Sequence, residues 1–63
     1  MLFNLNSILN LSEADAVQKI KNAGMKPRVR ARNGTAFMGT ADYRTDRVNI
    51  WIDGDVVVRA TIG

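Results

Sequence analysis

This sequence predicts an α+β domain, one α-helix packed on a small mixed β-sheet with a long exposed loop, and three observations predict it. An early segment repeats its apolar residues at helical spacing, three later segments alternate apolar and polar residues, and Asp53-Gly54 supplies a two-residue turn between the last two. The chain has 63 residues with neither cysteine nor histidine, which removes disulfides and the usual structural zinc as supports. That length holds a single domain, residues 1–63, whose core is either economical or shared between subunits. Hydrophobic residues at 46% beside charged ones at 24% place the chain among folded rather than disordered sequences.

Residues 1–11 are apolar, but they lack the basic start and small-residue cleavage site of a leader and are too few to span a bilayer. They are expected to pack on the core through Leu2, Leu5, Ile8 and Leu9 in a short turn. Ser12-Glu13-Ala14-Asp15 has the form of a capping box with aspartate for glutamate, and it opens a helix over 12–24 whose inner face is Ala16, Val17, Ile20 and Ala23. Gly24 stands where a left-handed C-terminal cap is needed, and Pro27 lies beyond any continuation. A strand over 28–32 follows, with Val29 and Ala31 on one face and Arg28, Arg30 and Arg32 on the other. Asn33-Gly34 is a turn signal, and residues 34–45 show no sustained period, so this stretch reads as a loop. The strand over 46–53 turns Val48, Ile50 and Ile52 one way and Arg47, Asn49 and Trp51 the other. In the strand over 55–62, Val56, Val58, Ala60 and Ile62 alternate with Val57, Arg59 and Thr61. The last two strands must be antiparallel, whereas the long loop permits the first two to be parallel.

The net charge of +3 comes from six arginines, three lysines and six acids, and every arginine lies in the β half. With the helix on one side of the sheet, alternation places Arg28, Arg30, Arg32, Arg47 and Arg59 on the other, beside Asn49, Trp51, Val57 and Thr61. Like charges at strand spacing repel, so acids, a partner chain or a bound anion must offset them, and Asp42 and Asp46 serve two at most. Arginine forks match phosphate oxygens, and Trp51 or Tyr43 offers a stacking surface for a base. The candidate ligand-binding set is therefore Arg28, Arg30, Arg32, Tyr43, Arg44, Arg47, Asn49, Trp51 and Arg59, for a small phosphorylated ligand such as a cyclic nucleotide. Trp51 with Phe37-Met38 suggests enough exposed apolar surface for a homo-oligomer.

Catalysis is not expected. The sequence has no histidine or cysteine nucleophile system, no metal-ligand cluster and no phosphate-cradling glycine pattern, so neither a metal nor a cofactor is called for. The modest charge and the acids in the loop argue against general nucleic-acid binding, and the lack of cysteine points to the cytoplasm.

The run Gly39 to Asp53, with Asp42-Tyr43-Arg44-Thr45-Asp46-Arg47-Val48 at its centre, resembles the reactive loop and following strand of the potato inhibitor I family. The order helix, strand, loop, strand, hairpin and terminal Ile62-Gly63 extends that resemblance over the chain from Ser12, and Asn49 is similar to the bacterial branch. The resemblance implies a serine protease inhibitor whose loop, Thr40-Ala41-Asp42-Tyr43, presents the bond between Ala41 and Asp42, with Arg47 and Asn49 bracing it from below. This chain departs from the family at Thr61, where another bracing arginine is usual, and at Gly39, which adds backbone freedom beside the reactive bond. It also looks like small cysteine-free proteins encoded by bacteriophages, a class that includes proteins sequestering immune nucleotide signals. That likeness implies an anti-defence binding protein that captures a cyclic nucleotide, with protease inhibition as the alternative.

Overall fold

The computed structural model describes residues 3–39 and 42–63 and shows an α+β domain with one helix and a four-stranded mixed sheet. Leu2 of the expected N-terminal turn and Thr40 and Ala41 of the expected reactive loop lie outside the described residues. A 3-10 turn at Leu5–Ile8 precedes helix α1 (Glu13–Asn22), followed by strands β1 (Lys26–Arg32), β2 (Thr35–Ala36), β3 (Arg47–Asp53) and β4 (Val56–Ile62). The spatial order is β2-β1-β3-β4, with β1 and β3 parallel and the other neighbours antiparallel. Residues 35–36, read from the sequence as loop, instead form β2, because the Asn33-Gly34 turn folds the chain straight back onto β1.

Local chemistry accounts for both ends of α1. Ser12 Oγ accepts from the Asp15 amide at 3.2 Å, and Glu13 and Asp15 at the start with Lys19 and Lys21 at the end complement the helix dipole. At the other end Gly24 takes φ 76°. Its amide donates to the Lys21 carbonyl at 2.9 Å and the Met25 amide donates to that of Ile20 at 3.1 Å. These are the two reversed bonds of a Schellman cap, and Met25 completes it by packing against the core.

The core contains Ile8, Ala16, Ile20, Val48, Ile50, Ile52 and Val57, with Leu5, Leu9, Val17, Met25, Val29 and Ile62 packed around it. Two β-bulges change the faces that simple alternation assigns. In β4, Val57 pairs with Ile52 and Arg59 with Trp51, which leaves Val58 as the extra residue. Val57 therefore enters the core and Val58 is exposed, the reverse of the sequence reading. The Val57 peptide is turned outward, where its carbonyl accepts from the Asn10 amide at 2.8 Å and its amide donates to Leu11 at 2.9 Å. In β1 the register shifts between Val29 and Ala31, so Ala31 lies beside Trp51 and Arg32 beside Ile52 on the helix side.

Arg32 is thus not on the helix-free face. Its Nε and Nη2 donate to the two carboxylate oxygens of Glu13 at 2.9 and 2.7 Å, clipping the start of α1 to the end of β1. That two-pronged bond raises the Arg32 pKa above its ordinary value.

Both hairpins turn through two residues of positive φ, Asn33 (52°) with Gly34 (83°) and Gly54 (58°) with Asp55 (66°), as type I′ turns require. The second turn is therefore centred one residue beyond Asp53-Gly54. The Asn33 side chain also accepts from the Gly54 amide at 2.9 Å, tying the two turns together. Asn33→Ala removes this bond and puts an unfavourable residue at positive φ, at an expected cost of about 1–2 kcal/mol. In thermal melts the midpoint should fall by roughly 4–16 °C. Asn33→Gly, which keeps the turn and loses the bond, should recover about half of that.

Candidate functional site

The helix-free face of the sheet carries the loop that joins β2 to β3, and arginines from two strands meet beneath it. Arg28 stands opposite Asn49 in the parallel β1·β3 register, and its Nε donates to Asn49 Oδ1 at 2.8 Å. Asn49 is only 6% exposed. Its Nδ2 lies 3.4 Å from Thr61 Oγ1, so the Thr61 position, where the resemblance leads one to expect arginine, closes this polar row.

Arg47, whose side chain is 12% exposed, is the hub of the site. Its Nε donates to the Gly63 carbonyl at 2.8 Å, and its Nη2 donates to the Asp42 carbonyl at 2.7 Å. Its Nη1 lies 3.8 Å from the Asp42 carboxylate. A single planar group therefore joins the end of the sheet to the backbone of the loop. The Gly63 amide returns a bond to the Arg47 carbonyl at 3.0 Å. A Cβ at position 63 would lie 3.3 Å from Asn49 Nδ2, a tight contact, and the φ of 154° there also favours glycine.

Gly39 is closely approached as well. A Cβ at this position would lie 2.6 Å from Arg30 Nη1 and 3.5 Å from Arg28 Nη1, so a side chain there would require the Arg30 guanidinium to shift. Arg30 is the extra residue of the β1 bulge, between Val29 and Ala31 in the register. The Arg28 pKa lies below its ordinary value, through burial first and then through repulsion from Arg47 and Arg30, with Asp42 acting the other way.

The remaining candidates divide. Arg59 lies over the Trp51 ring at 4.6 Å, a cation–π contact at the far end of the same face. Tyr43 is exposed beside Gly63. Arg44 is drawn to the loop's end by Asp46, its Nε 3.2 Å from the carboxylate, and this bond holds the Asp46 pKa below its ordinary value. Lys26 approaches the same carboxylate at 4.0 Å. Of the nine residues expected to share one ligand, Arg28, Arg30, Arg47, Asn49, Trp51 and Arg59 lie on the helix-free face, with Tyr43 over one end; Arg32 does not join them. The role of Gly63 was missed, because nothing in its sequence context distinguishes a glycine that accepts an arginine bond from an ordinary strand end.

Met38 and Phe37, just before Gly39, are exposed, and Phe37 lies 5.3 Å from the Arg32 guanidinium. Among the described residues, no cluster of acids could hold a metal ion, and no helix is long and apolar enough to cross a membrane. Compared with protein-family models, curated proteins and solved structures, the chain gives no match.

Proposed function

We propose that this chain is a non-enzymatic binding protein of the potato inhibitor I type, which blocks a serine protease by presenting the bond between Ala41 and Asp42. The observation that carries the reading is the Arg47 bridge from Gly63 to the carbonyl and carboxylate of Asp42. A loop tied to the sheet on the leaving-group side of the bond loses little conformational entropy on docking. After cleavage the same ties keep the new amine beside the acyl-enzyme, so resynthesis competes with hydrolysis. The single methyl of Ala41 suits an elastase-like or a tolerant subtilisin-like enzyme.

Capture of a cyclic nucleotide draws less support from the same geometry. Trp51, one of the two stacking surfaces that reading offers, is overlaid by Arg59, and Arg32 is engaged on the opposite face. The loop reading also works in one copy of the chain, without an oligomer to complete a site. Titration of subtilisin and pancreatic elastase with the purified protein tests it. At least one enzyme is expected to lose activity at one-to-one stoichiometry, and full activity of both at a large excess of the protein would reject the reading.

A further inference from the structure

We propose that the outer edge of β4 over residues 58–62 is a pairing surface for a second copy of this chain, the two joining by antiparallel strand addition about a two-fold axis at Ala60. The inference concerns a different surface from the loop and stands apart from protease inhibition. β4 is the last strand in the order β2-β1-β3-β4, so only one of its edges meets β3. The first part of its other edge is covered: Ser12 bridges to Val56, and the Val57 amide and carbonyl bond to Leu11 and Asn10. From Val58 onward no described residue pairs with that edge.

The register fixes which groups the uncovered edge presents. The Gly63 amide donates to the carbonyl of Arg47, so Thr61 and Arg59, two and four residues back, also turn their backbone groups toward β3. Ala60 and Ile62 therefore turn theirs outward. The bulge at Val58, a device that guards many edges, lies at the start of the stretch and leaves residues 59–62 in unbroken register with β3.

The two edges of the sheet are built differently. The opposite one ends in the two-residue β2, and the part of β1 that β2 leaves uncovered begins with Lys26 and Pro27, a charge and a residue with no amide. β4 has neither lysine nor proline, and Val56, Val57, Val58, Thr61 and Ile62 are β-branched, as suits a strand that pairs on both sides. A two-fold pairing about Ala60 uses the whole uncovered stretch and is self-complementary. Each Ala60 amide donates to the other's carbonyl, Ile62 meets the exposed Val58 of the partner, and Arg59 meets Thr61, so like charges are not opposed. The guarded opposite edge stops growth at two copies. So short an edge buries less than the roughly 1,200 Å² of a standard stable interface, so a reversible dimer is expected, half formed at roughly 10–100 µM chain.

The test is sedimentation velocity on the full chain from about 5 µM to about 1 mM, for the wild type, Val58→Lys and, on the opposite edge, Thr35→Lys. A monomer–dimer equilibrium is expected for the wild type and Thr35→Lys, weakened at least about tenfold in Val58→Lys, where the added charge guards the edge. Val58 is exposed, so dilute Val58→Lys should melt like the wild type. Amide hydrogen exchange of the wild type at both ends of the range locates the contact. The Ala60 and Ile62 amides should slow at the higher concentration, whereas that of Val57, already bonded to Leu11, should not change. A monomer throughout the range, assemblies larger than a dimer, or a dimer without slowed exchange at Ala60 and Ile62 overturns the proposal, as does equal dimerisation by folded Val58→Lys.

Discussion

Arg47→Ala is expected to free the loop from the sheet while leaving the domain folded. Two charge-assisted bonds from a nearly buried guanidinium are lost, to Gly63 and to Asp42, together with the approach to the Asp42 carboxylate. At about 1.5–3 kcal/mol for each bond to a charged group, with incomplete additivity, stability should fall by about 2–4 kcal/mol. Under the inhibitor reading the larger effect is on binding. The loop must then be ordered at the moment of docking, and inhibition should weaken roughly a hundredfold, equivalent to about 2.7 kcal/mol. Arg47→Lys keeps the charge but not the planar fork that spans two carbonyls, so it should resemble alanine in the inhibition assay more than in urea unfolding. Inhibition constants and urea curves on the same preparations separate the two effects. An alanine variant that inhibits as well as the wild type would remove Arg47 from the mechanism.

Ile50→Ala is expected to unfold much of the population. Ile50 is fully buried in β3, paired with Val29 on one side and Ala60 on the other, at the centre of the core. Truncating a buried isoleucine to alanine costs about 2–5 kcal/mol. A domain of this length has a total stability of about 3–9 kcal/mol at ordinary values per residue. Circular dichroism at 37 °C should show marked loss of structure, and inhibition should disappear with it. The two stability costs overlap, so inhibition by Arg47→Ala is read on preparations whose circular dichroism matches the wild type, whereas Ile50→Ala is expected to lose structure and inhibition together. A melting curve for Ile50→Ala like that of the wild type would mean that the core does not depend on β3 as described.

Much of the fold was legible in the sequence because its signals are local. The Ser12 cap, the Ala16 and Ile20 face and Gly24 define α1 within a residue or two, and the alternation around Ile50 defines β3. The bulges were not legible. Val57 and Val58 are chemically equivalent, and only the placement of Asn10 and Leu11 beside the edge of β4 decides which one turns inward. A parallel shift at Arg30 likewise sends Arg32 to Glu13, a long-range pairing that no local pattern announces. In the site, alternation correctly placed Arg28, Arg47, Asn49 and Trp51 on one face. The approach of Gly39 to the Arg30 guanidinium was not legible, because it follows from the bulge in β1.

The central claim is that the loop is a braced substrate mimic, and time-resolved mass spectrometry of the wild-type protein mixed with an equimolar serine protease that it inhibits tests this most directly. The account expects the chain to persist largely intact in a one-to-one complex, with any slow cleavage confined to the bond between Ala41 and Asp42. Rapid cutting at several places in residues 37–46 with no loss of protease activity would contradict it.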